Sequence, residues 1–170
     1  GLVHSEMPEQ EKGLLWGYQI WLNLGSLEKS LEPTYFDTET NLLPRVELDD
    51  ESVAIVMAGT FKGVTGPAPA RATEPLFLDI HFPADASTRI VVPSTHAVVC
   101  FIYRGEALVG GKLLESSQMG ILGDGDSVIA TTADRASRML LLAAKPLGEP
   151  VARYGPFVMN TRVEIALAFR

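Results

Sequence analysis

The sequence predicts an all-β fold of the sandwich or barrel type, from two observations along its 170 residues. Short apolar segments recur at near-regular spacing, and turns rich in glycine and proline separate them. In the last two thirds of the chain these segments are residues 52–58, 76–82, 88–92, 97–103, 106–108, 127–131 and 138–144. A chain of many short strands, with a helix pattern only near its end, favours two packed sheets or a barrel.

The first strongly apolar segment covers residues 14–24. Trp16, Tyr18 and Ile20 alternate there with smaller or polar residues, and this period of two predicts a strand. Residues 26–51 follow, and they are polar and acidic with prolines at 33 and 44. We expect this part of the chain to connect two structural halves.

Two local patterns predict how the strands turn and how the chain ends. Gly110 and Gly111 separate two apolar stretches, which predicts a hairpin. Thr161 precedes Glu164 by three residues, the spacing of a capping box, and therefore predicts the start of a helix. Val163 and Leu167 share one face of that helix.

Composition excludes several classes of function. The formal net charge of −7 argues against direct nucleic-acid binding, which requires a basic surface. A single cysteine, Cys100, excludes zinc fingers and disulfide scaffolds. The apolar runs are too short to span a membrane, and no secretory signal pattern opens the sequence. We therefore expect a cytoplasmic protein that binds neither nucleic acid nor membranes.

One pair of residues has the chemistry of a metal site. His4 and Glu6 flank Ser5, and on a strand both side chains would leave the same face. An imidazole and a carboxylate so placed could supply two ligands of a mononuclear non-haem metal. The alternative is a solvated polar face, which is the commoner meaning of this spacing, and the metal would need at least one further ligand.

The remaining histidines and the cysteine favour structural roles. His81 lies on the polar side of the alternating segment 76–82, which indicates the surface of a half-buried strand. His96 follows Pro93-Ser94-Thr95, where a turn histidine bonded to backbone is expected. Cys100 lies inside an apolar run and is expected in the core.

Several longer motifs extend along the chain in order. They are Gly-Leu-Val-His-Ser-Glu-Met-Pro at 1–8, Tyr-Gln-Ile-Trp-Leu-Asn-Leu at 18–24, Glu-Pro-Thr-Tyr at 32–35, Ala-Gly-Thr-Phe-Lys-Gly-Val-Thr-Gly-Pro at 58–67 and Tyr-Gly-Pro-Phe-Val-Met-Asn-Thr at 154–161. Together they resemble the pirin family of the cupin superfamily. The resemblance covers essentially the whole chain.

The resemblance implies a bicupin, which has two antiparallel jelly-roll β-barrels and one non-haem iron in the N-terminal barrel. Residues 1–25 would then be the last part of the metal-bearing barrel, 26–45 a linker, 46–147 the second barrel, and 148–170 a tail with a short C-terminal helix. His4 and Glu6 match two of four ligands for Fe(II), or another divalent metal, and the other two would be histidines upstream. In the second barrel the corresponding positions fall on Val91, Pro93 and Ala97, so we expect it to be metal-free.

The resemblance also implies an activity like that of quercetin dioxygenases in the intact protein. A flavonol would chelate the iron, and Glu6 would be both a metal ligand and the catalytic base. The alternative is a regulator, cytoplasmic or nuclear, whose metal redox state controls binding to transcriptional co-regulators or metabolic enzymes.

The ends of the sequence carry a further expectation. The resemblance implies an arginine before the residue that matches Gly1, and the chain ends at Arg170, so we expect both ends to be trypsin-type cleavage sites of a larger precursor. Such a fragment, with half of the metal site, is expected to be inactive alone.

Overall fold

The computed structural model describes residues 5, 7, 10 and 12–169 of the chain. The chain divides into two compact units. Residues 36–146 form the larger unit, and the segments before residue 36 and after residue 146 form the smaller one.

The larger unit contains twelve strands in the part of the chain that the structure describes. They are β1 (Arg45–Glu47), β2 (Val53–Ala58), β3 (Thr60–Phe61), β4 (Val64–Thr65), β5 (Leu76–Phe82), β6 (Ser87–Val91), β7 (Ala97–Arg104), β8 (Glu106–Val109), β9 (Lys112–Glu115), β10 (Met119–Ile121), β11 (Ser127–Thr131) and β12 (Ser137–Ala144). All seven strands predicted after residue 50 are present, with ends that differ by no more than one residue. The all-β prediction is therefore confirmed.

The strands form two main antiparallel sheets. A six-stranded sheet has the order β1-β2-β5-β12-β7-β10, and a four-stranded sheet has the order β6-β11-β8-β9. β3 and β4 make a separate small hairpin. Side chains of both main sheets meet in one apolar core, which includes Leu78, Ile80 and Leu141 from the first sheet and Ile90 and Val128 from the second. This is the arrangement of a jelly roll, in which two sheets face each other across a core.

The alternation of β5 shows how the sequence builds this core. Leu76, Leu78, Ile80 and Phe82 are buried, whereas the residues between them are partly exposed. Full burial of one such aliphatic side chain contributes about 1.5–3 kcal/mol. A shift of the register by one residue would bring Asp79 and His81 into the core, so the apolar pattern fixes the register.

The predicted hairpin at Gly110-Gly111 is confirmed. β8 and β9 pair with Val109 opposite Lys112, and the two intervening glycines have φ angles of 56° and 83°. Both values lie in the left-handed region that a two-residue turn of this kind requires and that glycine adopts without strain.

The smaller unit contains a hairpin and a helix. β13 (Ala152–Tyr154) pairs with β14 (Phe157–Met159), and α1 covers Arg162–Ala168. The capping box is confirmed, since the Thr161 hydroxyl accepts from the Glu164 N–H and the Glu164 carboxylate accepts from the Thr161 N–H. Ile165 is the residue that α1 buries, while Val163 and Leu167 are exposed.

The prediction of a strand at residues 14–24 is wrong. These residues pair with no strand of the described chain, and Leu14, Trp16 and Trp21 are 85%, 58% and 61% exposed. Alternation alone does not make a strand, because the backbone groups also need a neighbouring strand to bond. The connecting segment 26–51 holds more structure than predicted, namely a short 3₁₀ turn at Thr40–Leu42 and β1.

Candidate functional site

The residues predicted to bind metal lie at the start of the chain. His4 and Glu6 are outside the described residues, so their predicted role as ligands stays a prediction. Among residues 5, 7, 10 and 12–169, no three His, Cys, Asp or Glu side chains come together as a metal site.

The three positions of the larger unit that the sequence comparison with cupins singled out carry no metal-binding side chain. Val91 lies on β6 with its side chain 65% exposed, and Pro93 and Ala97 are also exposed. Aliphatic side chains offer no lone pair to a cation, so the larger unit has no side-chain donors at these three places.

The most concentrated polar chemistry of the larger unit lies on the side of the six-stranded sheet that points away from the core. The Tyr103 hydroxyl donates to Asp79 Oδ1 at 2.7 Å, and His81 Nε2 lies 3.2 Å from Asp79 Oδ2. The same nitrogen lies 3.3 Å from the Tyr103 oxygen. One carboxylate thus contacts both a phenol and an imidazole.

Two strands and a bulge place this cluster. Asp79 and His81 lie two residues apart on β5 and therefore share a face. Tyr103 lies on β7, beyond the intervening strand β12, at a point where the register shifts. Arg138 pairs with Arg104 and Met139 with Ile102, so Tyr103 is the extra residue of a β-bulge, and bulges of this kind redirect side chains.

The electrostatics of the cluster favour a neutral tyrosine. Burial raises the pKa of Tyr103, and the hydrogen bond to Asp79 and the negative charge of Asp79 raise it further, while Arg138 lowers it in part. The phenol therefore holds its proton and acts as a hydrogen-bond donor. The cluster can orient a polar ligand or hold a proton, but it does not supply a phenolate nucleophile.

The structural roles predicted for the other candidates are confirmed. His81 is partly buried on the polar side of β5. His96 Nε2 lies 2.9 Å from a backbone carbonyl, although the carbonyl belongs to Glu74, which is distant in sequence. Cys100 is fully buried, and burial raises the pKa of its thiol to about 12, so it is an unreactive core residue.

A second polar network includes Asn160, a residue of the motif at 154–161. In the smaller unit, the Glu149 carboxylate accepts from the Ser26 N–H and from the Asn160 amide, each at 2.8 Å. Asn160 in turn accepts from Lys29 Nζ at 3.0 Å. The Ser26 N–H above all, together with the Asn160 amide, holds the pKa of Glu149 below its usual range. These contacts fasten the turn at residues 25–31 to the C-terminal segment, so their role is structural.

Sequence reasoning missed Tyr103 and Arg138 as partners of Asp79 and His81. The spacing of Asp79 and His81 placed them on one face, and this signal was available. The contact of Tyr103 with Asp79 could not be predicted from the sequence, because it depends on strand order and on the bulge.

No helix among the described residues has the length and apolar character to cross a membrane.

Known proteins match both the sequence and the fold. Residues 77–170 match the pirin C-terminal cupin domain. The chain is 37% identical over 171 residues to a pirin-like protein of Caulobacter vibrioides, covering 99% of this chain and 61% of that protein. It is 34% identical over 173 residues to pirin of Homo sapiens, covering 99% of this chain and 59% of that protein.

A solved structure extends the match. The quercetin 2,3-dioxygenase from Acinetobacter baumannii superimposes with a TM-score of 0.81 at 30% identity, covering 88% of this chain and 52% of that one. The chain therefore has the cupin jelly-roll fold, and it spans about three-fifths of the length of the curated relatives named above. By sequence and by fold, the chain belongs to the pirin family.

Proposed function

We propose that the intact protein containing this chain is an iron-dependent dioxygenase that acts on flavonols, of the quercetin 2,3-dioxygenase type. The observation that carries this proposal is the likeness to the Acinetobacter baumannii enzyme, 30% identical with a TM-score of 0.81. Because this chain spans 52% of that enzyme, the activity is proposed for the intact protein, and the chain alone is proposed to be inactive.

His4 and Glu6 are the residues of this chain proposed to hold the metal. One imidazole nitrogen and one carboxylate oxygen are donors that suit Fe(II) and that leave coordination positions open when few other ligands are present. The two residues are separated only by Ser5, so a local extended conformation would point both side chains to the same side. Two histidines upstream of this chain would complete the set.

The proposed roles of these residues differ. When bound, the iron would polarise the adjacent oxygens of a flavonol and bring the substrate together with O₂. Glu6 would accept the proton of the flavonol hydroxyl, which makes the substrate electron-rich enough to react with O₂. His4, as a neutral imidazole, would keep the metal in place without taking part in proton transfer.

Residues 46–147 are proposed to act as the structural partner of the metal-bearing part. The corresponding ligand positions Val91, Pro93 and Ala97 have no donor atoms. The interior of this region is apolar, with Leu78 and Leu141 fully buried. Both observations support a stable scaffold whose chemistry lies elsewhere.

The test is quercetin-dependent O₂ uptake by the intact, iron-loaded protein. We expect turnover in the wild type and a loss of about 10²-fold or more in Glu6→Ala, since this change removes both a ligand and the base. Glu115→Ala is the matched control, because Glu115 is an exposed glutamate on β9, outside the motif at residues 1–8 that contains Glu6. Wild-type turnover in Glu6→Ala would contradict the role of Glu6. An iron-loaded wild type that consumes no O₂ with quercetin would contradict the enzymatic proposal and favour the regulatory alternative.

A further inference from the structure

We propose that the larger unit binds a small polyanion, such as a diphosphate or a polycarboxylate, at a cleft beside the Asp79 cluster. The cleft is a concavity of about 580 Å³. We call it the arginine cleft, and its lining residues that matter here are Arg104, Arg135, Arg138, His81, Ser137 and Glu51. All of these residues belong to the larger unit, and the proposal does not rest on the dioxygenase activity.

Sheet register places three basic side chains in one row. Arg138 on β12 pairs with His81 on β5 and, on its other side, with Arg104 on β7. Paired residues of antiparallel strands project to the same face with Cβ atoms about 4.5–5.5 Å apart. The row therefore brings two guanidinium groups and an imidazole together on the face that points away from the core, and Arg135 joins them from the turn before β12.

The backbone around the row is rigid. The Ser137 hydroxyl donates to the Arg104 carbonyl at 3.0 Å, and Ser137 is almost fully buried. Gly105 has a φ of 74°, and a Cβ atom at this position would lie 2.6 Å from the Ala136 carbonyl oxygen. The strand end that carries Arg104 thus fits closely against the segment that carries Arg135 and Arg138.

The charges of the cleft are not balanced by the protein. Among the described residues, the side chains of Arg104 and Arg135 make no hydrogen bond or ion pair, and Arg138 lies near the Tyr103 hydroxyl, whose pKa it lowers in part. Glu51 is the one carboxylate among the lining residues, and it is not within ion-pair distance of the arginines. Asp79 accepts from Tyr103 and lies beside His81, and its negative charge offsets part of the charge of Arg138, so the uncompensated charge lies mainly on Arg104 and Arg135.

Like charges in directly opposed positions destabilise a sheet, so the Arg104–Arg138 pair costs free energy when the cleft is empty. An anion between the two guanidinium groups would reverse the sign of that interaction. Guanidinium groups offer forked N–H donors that match the oxygens of a phosphate or a carboxylate. A ligand with two or more such groups can engage Arg104, Arg135 and Arg138 together, and a neutral flavonol cannot.

Isothermal titration calorimetry of the intact protein at low ionic strength tests the proposal. Pyrophosphate and citrate are the two probes, which distinguish a phosphate ligand from a carboxylate ligand, and acetate is the monovalent comparison. We expect saturable binding of at least one of the two polyanions, with acetate binding at least about tenfold weaker, since it engages fewer guanidinium groups.

Substitutions of two cleft arginines test whether the polyanion binds in the arginine cleft. Arg104→Gln/Arg135→Gln is expected to weaken polyanion binding by at least about tenfold, since the change removes two charged hydrogen-bond donors. Arg89→Gln is the matched control, because Arg89 is an exposed arginine on β6 that faces Asp126 and does not line the cleft. Equal weakening in Arg89→Gln and in the double variant would overturn the proposal, as would unchanged binding in the double variant or binding of neither polyanion. Circular dichroism of each variant checks that the fold is retained.

Discussion

The two faces of the six-stranded sheet use the same strands for different purposes. On the inner face, Leu78, Cys100 and Leu141 are fully buried and pack into one core. On the opposite face, Asp79, which follows Leu78, and Tyr103, which follows the buried Ile102, form a hydrogen-bonded cluster. Because side chains alternate along a strand, one strand supplies apolar residues to the core and polar residues to the opposite face. Changes on the inner face should therefore affect folding far more than changes on the opposite face.

The largest expected effect comes from Leu78→Ala. Truncation of a fully buried leucine leaves a cavity that the two sheets cannot close, and such changes cost about 2–5 kcal/mol. Urea denaturation measures the free energy of unfolding. His81→Ala, three residues along the same strand and on the opposite face, serves as the comparison and should cost less. Equal losses for the two variants would contradict the division between the faces.

The next largest loss of stability is expected where the end of β7 lies against the start of β12. Gly105→Ala would force a Cβ atom to within 2.6 Å of the Ala136 carbonyl oxygen at a φ of 74°, so we expect a loss of about 1–3 kcal/mol. Gly123→Ala is the control, since no heavy atom lies within 4 Å of the Cβ position there. Thermal unfolding of both variants tests this. Equal thermal stability of Gly105→Ala and Gly123→Ala would contradict the close fit of the two strand ends.

Stability at high pH provides a third test, through Cys100. Burial raises the pKa of this thiol from 9.0 to about 12, so between these values the unfolded chain loses a proton that the folded chain keeps. The unfolded state then binds fewer protons, and the free energy of unfolding falls as pH rises, by about 1.4 kcal/mol per pH unit. Below pH 9 this contribution is complete.

Cys100→Ala should remove that dependence. The variant is expected to be less stable than the wild type at pH 8, and the difference should narrow as the pH approaches 11. Val98→Ala, a buried residue of the same strand, keeps the thiol and should retain the wild-type slope. Denaturation curves measured between pH 8 and pH 11 compare the three proteins, and parallel slopes for all three would contradict the buried-thiol account.

The smallest expected effect is on the opposite face. Tyr103→Phe removes the hydrogen bond to Asp79 and should cost about 1 kcal/mol. Tyr35→Phe is the control, since Tyr35 is 87% exposed. The pKa of Tyr103 is raised, so this residue also makes the wild type lose stability as pH increases above 10, and in Tyr103→Phe only the loss due to Cys100 should remain. A loss similar to that of Leu78→Ala would mean that the cluster, and not the core, holds the sheet together.

The alternation of apolar and polar residues predicted the longer strands, because the same alternation buries one face of each strand. β5 was predicted with its observed ends, residues 76 and 82. β3 and β4 have two residues each, too few to show a period. Residues 14–24 show the reverse error, since the alternation is present but no described strand pairs with it.

The candidate sites were less accessible from sequence. The approach of Tyr103 to Asp79 depends on a bulge and on the position of β12 between β5 and β7. The meeting of Arg104, Arg138 and His81 depends on the register of three strands that are far apart in the chain. His4 and Glu6 were singled out by their spacing, and their proposed importance comes from the family motif around them.

The central claim is that metal chemistry belongs to the segment of His4 and Glu6, while residues 46–147 supply the scaffold. Iron content of the intact protein, measured by elemental analysis after reconstitution with Fe(II), tests this directly. We expect about one iron per chain in the wild type and in His96→Ala, and a large loss of iron in His4→Ala, because removal of one imidazole leaves too few ligands. An unchanged iron content in His4→Ala, or a loss in His96→Ala equal to that in His4→Ala, would contradict the claim.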